Sequence, residues 1–257
     1  MLKILSVGNS FSQDAQKWLK PICDAAGFDI KLGNLFIGGC SLETHCRNLI
    51  EDRRDYSFEI NADEGRPSSI REAVDSDDWD IVTFQQVSHL SGKWETYEPY
   101  LSILSEKISR LSPRSKQYIH EVWGYEQGSK SENFKLYDND SAKMYYALRD
   151  AYIRASRLIK APIIPTGDAV RYLRTSVPAF DLSAGGVSLC RDDIHLSLDL
   201  GRYAAAAVWF ETLTGLDIHC SDFVPTVDGK PADERLIALI KNSVHSFLQS
   251  AASTQAC

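Results

Sequence analysis

Alternating apolar and polar segments along the chain predict strands that alternate with helices. The first apolar run, Leu2–Val7, has the length of a strand, and the turn formers Gly8 and Asn9 separate it from an amphipathic segment over residues 12–26. Later runs of strand length cover 28–37, 80–84, 117–122 and 162–165. The last of these is flanked by prolines, which predicts a position at or near a sheet edge.

Helical spacing recurs between and after these strands. The segments concerned are 42–50, 97–111, 141–159, 167–174, 198–213 and 232–249. Strands that alternate with helices predict an α/β protein with three α/β/α layers and a five-stranded parallel sheet. Residues 56–60 fit either a short extra strand or a hairpin arm.

The chain has no internal repeat and no linker rich in Pro, Gly or Ser, which predicts one domain over residues 1–257. Its core is expected at about 2–214, with the helix at 232–249 packed on that core. The tail over 250–257 has no packing pattern and is expected to be frayed.

Composition narrows the class of protein. Of the 257 residues, 44% are hydrophobic and 25% charged, which is ordinary for a soluble globular protein. A net charge of -7 without a basic stripe argues against a nucleic-acid partner. No window reaches the roughly 18 apolar residues of a membrane span. We expect a cytoplasmic location for the sequence as given, or a secreted or periplasmic one if a leader was removed. No feature specifies an oligomeric state.

The six cysteines are scattered and include no C-x-x-C pair. In a chain of this size they are expected to be free thiols. Cys40, His45 and Cys46 lie close in sequence, but their spacing fits no common zinc pattern, so packing is the favoured role. We therefore expect no metal and no cofactor.

Ser10 is the first candidate catalytic residue. It lies where the first strand passes into a helix, and the carboxyl edge of a parallel sheet is the side on which ligands bind. Backbone N–H groups at the start of the helix would point at an anion there. The alternative is that Ser10 only caps the helix, a role for which Ser12 competes.

His195 is the best candidate for a base. His120 falls within a strand and His245 has nothing catalytic around it, whereas His195 follows a long loop in the segment R-D-D-I-H-L-S. On one helical turn, positions i and i+3 share a face, so Asp192 could accept a hydrogen bond from the His195 ring. This spacing selects Asp192 over Asp193.

Three blocks occur in a characteristic order: Gly8–Ser12, Gly39 within I-G-G-C-S, and Asp192-x-x-His195. In this order they resemble the SGNH/GDSL hydrolase superfamily, and most of all a bacterial branch whose first block reads GNSF. The chain also matches blocks of this branch over 37–45, 80–86 and 191–197, so the resemblance spans about residues 2–214. It implies a flavodoxin-like three-layer fold and ester or acyl hydrolysis without a metal.

The resemblance also implies individual roles. Ser10 would be the nucleophile, His195 the general base and then acid, and Asp192 the carboxylate that orients the histidine. The backbone N–H groups of Ser10 and Gly39 would form the oxyanion hole. The third block usually ends in an Asn that donates to the oxyanion, and here Gln86, slightly preferred over Gln85, would replace it.

The substrate is predicted more coarsely. Asn9, His89 and Trp123 could line a substrate pocket, with Trp123 either stacking on a sugar ring or packing in the core. The loops at 126–140 and 176–193 are largely polar, which favours an acetyl ester on a carbohydrate over the substrate of a lysophospholipase or thioesterase. A protein that binds a carbohydrate or phosphate without catalysis is the alternative from another class.

Overall fold

A seven-stranded sheet forms the centre of the computed structural model, which describes residues 1–255. Its strands are β1 (Leu2–Gly8), β2 (Ile30–Phe36), β3 (Tyr56–Ile60), β4 (Arg66–Ser68), β5 (Ile81–Phe84), β6 (Lys116–His120) and β7 (Ile163–Ile164). They lie in the order β4-β3-β2-β1-β5-β6-β7. The apolar residues of β1 and β5 are buried on both faces, as expected for central strands of a parallel sheet.

Five of these strands, β2, β1, β5, β6 and β7, pair in parallel. The predicted α/β architecture is confirmed, and β7 lies at the edge as its prolines indicated. The five predicted parallel strands are all present, and two further strands, β3 and β4, extend the sheet in antiparallel fashion. The first of these, β3, is the extra strand or hairpin arm that residues 56–60 allowed. The second of them, R-P-S, has no apolar run to predict it, and its proline suits an edge strand because it needs no donor.

Helices flank the sheet. They are α1 (Ser10–Gln16), α2 (Leu19–Ala25), α3 (Leu42–Glu51), α4 (Ile70–Asp75), α5 (Tyr100–Leu111), α6 (Ser141–Ile159), α7 (Thr166–Ser176), α8 (Leu200–Thr214) and α9 (Glu234–Gln255). The first predicted helix is in fact two, α1 and α2. Pro21 explains the break, since it has no N–H for the carbonyl of Lys17 and its ring would clash there.

Of the helices within residues 1–255, α8 is the most buried. Ala204–Ala207 are buried, and α8 contacts α1, α2, α7 and α9. Its N-terminus follows the loop that contains His195, whereas its C-terminus lies against α9. Because α1 also packs on α8, the helix joins the Ser10 corner to the His195 loop.

The C-terminal helix is longer than predicted. It runs to Gln255 and includes most of the segment expected to fray, while Ala256 and Cys257 lie outside the described residues. A small hairpin, β8 (Thr226–Val227) with β9 (Lys230–Pro231), precedes it. No helix within residues 1–255 is long and apolar enough to cross a membrane. All five cysteines in this range are free thiols.

Candidate active site

With Ser12 completing the capping box, Asn9 is the N-cap residue of the first helix. Its side-chain oxygen accepts from the backbone N–H of Phe11 at 3.0 Å, which places Ser10 at the first position of α1. The hydroxyl of Ser12 is buried, donating to Asn34 Oδ1 at 2.7 Å. Gly8 leaves room for it, because a Cβ on Gly8 would lie 2.1 Å from Ser12 Oγ. Capping therefore does not account for Ser10.

Ser10, His195 and Asp192 form a hydrogen-bonded chain. Ser10 Oγ lies 3.0 Å from His195 Nε2, and His195 Nδ1 lies 2.8 Å from Asp192 Oδ2. The side chain of His195 is 28% exposed and that of Asp192 49%. Both contacts have the length of a hydrogen bond. With the proton on Nδ1, the lone pair of Nε2 faces the serine hydroxyl.

The Asp192–His195 contact comes from a tight turn and not from the helical turn that the spacing suggested. Cys190 and Leu196 pair as an antiparallel bridge, and the N–H of Arg191 donates to the carbonyl of His195 at 2.9 Å. Asp192 Oδ1 accepts from the backbone N–H of His195 at 2.6 Å. Asp193 takes the left-handed conformation that closes the turn, with φ of +64°.

The carboxylate of Asp192 is held in its charged form. Partial burial acts to raise its pKa, but hydrogen bonds from the backbone and the ring of His195 outweigh this effect and lower the pKa below its ordinary value. An ionised carboxylate at Nδ1 fixes the histidine tautomer and would stabilise an imidazolium.

The second corner, at Gly39, is tied to the first. Asn9 Nδ2 donates to the carbonyl of Cys40 at 3.1 Å. Gly39 is needed for its conformation, with φ of +63°, and not for close contact, since a Cβ there would meet nothing within 4 Å. Within residues 1–255, the backbone N–H groups of Ser10 and Gly39 donate no hydrogen bond.

The expected oxyanion role of Gln86 is not supported by its contacts. Its amide nitrogen donates to the carbonyl and hydroxyl of Thr96 at 3.1 and 3.0 Å, and its oxygen accepts from the backbone N–H of Leu42 at 3.0 Å. These bonds connect Gln86 to Thr96, later in the same loop, and to the start of α3. The longer side chain of Gln86 therefore makes hydrogen bonds within the protein.

Gln85, the other candidate, supports the nucleophile corner. Its amide nitrogen donates to Asn9 Oδ1 at 2.6 Å, and its oxygen lies 2.6 Å from His120 Nδ1. His120 is fully buried, and burial lowers its pKa to about 3. Gln85 therefore orients Asn9, which in turn caps the helix that begins with Ser10.

Trp123 does not line an open pocket. It is completely buried, its ring stacks on Phe11 at 4.3 Å, and its Nε1 donates to the carbonyl of Ile194 at 2.7 Å. Of the two roles considered for Trp123, packing in the core is the one observed, and stacking on a sugar does not fit because the side chain is fully buried. Instead, Trp123 supports the turn that carries His195.

His89 and the His45 segment differ in exposure. His89 lies in the turn that follows β5 and is partly exposed, and burial lowers its pKa. It stays a predicted pocket residue. His45 is buried against Tyr56, with Nδ1 2.8 Å from the tyrosine hydroxyl and 3.5 Å from Cys40 Sγ. These contacts fit the packing role favoured for the Cys40–Cys46 segment.

Asp14 is a site residue that the sequence analysis missed. It is fully buried on α1, and its carboxylate pairs with Arg191 at 3.1 Å and Arg202 at 2.7 Å. It also accepts the backbone N–H of Leu196 at 3.0 Å. Asp14 thus fastens the His195 turn to the helix that carries Ser10. Its position four residues after Ser10, on the same helix face, is the signal that could have identified it.

The comparisons with known proteins give a family and a fold. The sequence matches the family described as "Domain of unknown function (DUF4886)" over residues 3–245. A crystal structure of a DUF4886 family protein from Bacteroides uniformis is 31% identical, covers 96% of this chain and 95% of its own, and gives a TM-score of 0.86. No curated protein matches the sequence.

More distant structures share the fold alone. A protein from Slackia heliotrinireducens, described provisionally as an SGNH hydrolase, is 20% identical with a TM-score of 0.58, covering 82% of this chain and 98% of its own. A carbohydrate esterase family 3 structure from Talaromyces cellulolyticus is 14% identical with a TM-score of 0.53, covering 85% and 99%. At these identities the likeness extends to the arrangement of sheet and helices.

Proposed function

Because the chain belongs to the DUF4886 family and has the fold of SGNH hydrolases, we propose that it is a serine hydrolase that cleaves a carboxylic ester. The observation that carries this proposal is the chain Ser10 Oγ–His195 Nε2–Asp192, with its two contacts of 3.0 and 2.8 Å. A hydroxyl, an imidazole and a carboxylate in this order form the arrangement that activates a serine for acyl transfer.

In the first step Ser10 Oγ attacks the ester carbonyl and its proton passes to His195 Nε2. The imidazolium is stabilised by Asp192, whose carboxylate accepts a hydrogen bond from Nδ1–H. His195 then gives its proton to the leaving alcohol, and an acyl-serine forms. In the second step a water gives a proton to His195 as its oxygen attacks the acyl carbonyl. The bond to Ser10 Oγ then breaks, His195 returns the proton to that oxygen, and the acid leaves.

The developing oxyanion would be held by backbone N–H groups. Those of Ser10 and Gly39 are free of other acceptors in the described part of the chain, and the bond from Asn9 to Cys40 keeps the two corners together. The first N–H groups of a helix also present the positive end of its dipole. The hole is thus proposed to consist of main-chain donors, with Gln85 positioning Asn9.

An acetyl ester on a carbohydrate is the substrate that we favour. Between the two polar loops lies a cavity whose lining mixes the polar Gln127, Arg171 and Asp181 with the apolar Phe180 and Leu182, and none of the three triad residues lines it. It adjoins the catalytic turn, since the N–H of Glu126 in its wall donates to the carbonyl of Asp193 at 2.9 Å. Support for a sugar over a long acyl chain comes from the largely polar residues of the two loops, 126–140 and 176–193.

A panel of p-nitrophenyl esters from acetate to laurate tests both parts of this proposal. We expect turnover to be highest for acetate and to fall by about 10⁴-fold or more in Ser10→Ala. Ser109→Ala removes an exposed hydroxyl on α5 and serves as the control. A preference for laurate would favour a lysophospholipase or thioesterase instead. Absence of turnover in folded wild-type protein would favour a non-catalytic binding protein.

A further inference from the structure

A second group of imidazole and carboxylate side chains lies where α8 ends against α9. Asp217, His219 and His245 each place a possible ligand atom within 4.8 Å of the others. Glu211, on the last turns of α8, adds a fourth, with Oε1 3.1 Å from His245 Nδ1. Nothing in the proposed ester hydrolysis uses these residues.

The spacing of the ligand atoms suits a tetrahedral ion. In such a site with bonds of about 2.1 Å, neighbouring ligand atoms lie about 3.4 Å apart. His245 Nδ1 lies 3.5 Å from Asp217 Oδ1, and Asp217 Oδ1 lies 2.5 Å from His219 Nδ1. Rotation of the half-exposed Asp217 side chain would open the shorter contact, so neither the backbone nor the His219 ring need move.

The charge of the cluster also favours a cation. Within residues 1–255, Glu211 and Asp217 form no ion pair with a lysine or arginine. The side chains that contact their carboxylates are the two histidines, and the backbone N–H of Ile218 also donates to Glu211 Oε1 at 2.9 Å. Glu211 is largely buried, with 6% of its side chain exposed. Two carboxylates so close together need positive charge nearby, and a divalent ion would supply it.

His219 has the outer partner expected of a metal-binding histidine. Its Nδ1 faces the cluster, and its Nε2 lies 2.8 Å from Asn242 Oδ1 on α9. Ligand histidines commonly donate their second N–H to a carbonyl or carboxylate, which fixes the ring and its tautomer. This contact is a feature that a mere surface ion pair would not need.

We propose that Glu211, Asp217, His219 and His245 bind one divalent transition-metal ion, with Zn²⁺ as the best fit to two imidazoles and two carboxylates. The ion joins α9 to the end of α8. Glu211 lies about 16 Å along the α8 axis from Leu200, where the helix leaves the catalytic turn. The ion therefore stabilises the C-terminal packing and takes no part in the reaction at Ser10.

Binding of Zn²⁺ to metal-stripped, full-length protein tests this site by titration calorimetry, with metal content measured after dialysis. We expect one Zn²⁺ per chain and, at about 100 times the Kd, a rise in Tm of about 5–10 °C. His245→Gln and His219→Gln each lose this binding. Asn242→Leu weakens it by about 10- to 100-fold, as loss of an outer partner does.

Two controls separate this cluster from other donors. Cys220→Ser removes an exposed thiol next to His219 and is expected to leave the stoichiometry at one. Mg²⁺ is expected not to raise Tm, because it prefers oxygen ligands. Should His245→Gln fail to fold, the exposed His219→Gln variant gives the same test. Absence of Zn²⁺ binding by wild-type protein, or unchanged binding in His219→Gln, would overturn the proposal.

Discussion

Two Asp–His pairs of this chain, Asp192–His195 and Asp217–His219, make the same contacts at Nδ1 of the histidine. They differ in the group that contacts Nε2 on the opposite side of the ring. In each pair the carboxylate accepts a hydrogen bond from the backbone N–H of its histidine. It also contacts the ring atom Nδ1, at 2.8 Å for Asp192 and 2.5 Å for Asp217. Nε2 of His195 then meets the hydroxyl of Ser10, whereas Nε2 of His219 meets the amide oxygen of Asn242. A hydroxyl can be deprotonated for attack, and an amide oxygen can only accept.

The support beneath the two pairs differs as well. The buried residues Asp14 and Trp123 stabilise the Asp192–His195 turn through hydrogen bonds with its backbone. The Asp217–His219 pair lies in a short exposed turn after α8, and Glu211 and α9 provide its neighbours. An Asp–His pair is therefore not a catalytic signature by itself. The third group and the rigidity of the turn decide which chemistry it can perform.

Removing the carboxylate of the first pair should have the largest effect. In Asp192→Asn the amide cannot stabilise an imidazolium and can favour the wrong tautomer, so we expect kcat for p-nitrophenyl acetate to fall by about 10³–10⁴-fold. The neighbouring Asp193→Asn, which suits the left-handed φ at that position, should keep kcat within about twofold. Equal activity of the two variants would remove Asp192 from the mechanism.

The buried anchor should matter more for stability than its exposed counterpart. Asp14→Asn leaves Arg191 and Arg202 without their buried carboxylate, so the free energy of unfolding should fall by about 3–5 kcal/mol. Asp217→Asn, measured with EDTA present, should cost less than about 1 kcal/mol because the pair is exposed. Urea unfolding checks both, and similar losses would show that the two turns are supported alike.

A third substitution separates support of the catalytic turn from general packing. Trp123→Phe removes the bond to the Ile194 carbonyl, and we expect kcat to fall by about 10- to 100-fold through misplacement of His195. Trp79→Phe removes an equivalent buried bond, to Ala73, far from the turn in sequence. It should lose a similar stability, about 1–2 kcal/mol, with kcat unchanged. A loss of kcat in both variants would assign the effect to packing.

The smallest effect concerns pH. Because the folded-state pKa of Asp192 is lowered, its contribution to stability is complete above the unfolded value near 3.9 and is lost as pH falls through the folded value. The difference in unfolding free energy between wild type and Asp192→Asn should therefore not shrink between about pH 8 and 5, and should shrink below about pH 4. A difference that shrinks between pH 7 and 5 would contradict an ionised Asp192 held by His195.

Local patterns predicted those features that local sequence determines. The apolar runs gave the central strands, and Ser10, Asp192 and His195 were each found within a short motif. Features that depend on contacts between distant segments were missed. The hydrogen bond between Asp14 and Leu196 joins residues 182 positions apart. The hydrogen bond between Gln86 and Thr96 depends on the conformation of the loop after β5.

Where the prediction failed locally, a single residue explains the failure. Pro21 breaks the first helix although the apolar spacing continues through it. The turn at Asp193 brings Asp192 to His195 without any helix, so the hydrogen bond between Asp192 and His195 was predicted from the wrong geometry. A spacing of three restricts the candidates, whereas the conformation between them is set by backbone hydrogen bonds that the spacing does not reveal.

The most direct test of the central claim is covalent labelling with a fluorophosphonate, followed by peptide mass spectrometry. An activated serine attacks phosphorus and keeps the label, whereas an ordinary hydroxyl does not react. We expect one label per chain, on Ser10, at pH 8, and none in Ser10→Ala or, within the same time, in Asp192→Asn. Folded wild-type protein that takes up no label, or takes it up at another residue, would contradict the account.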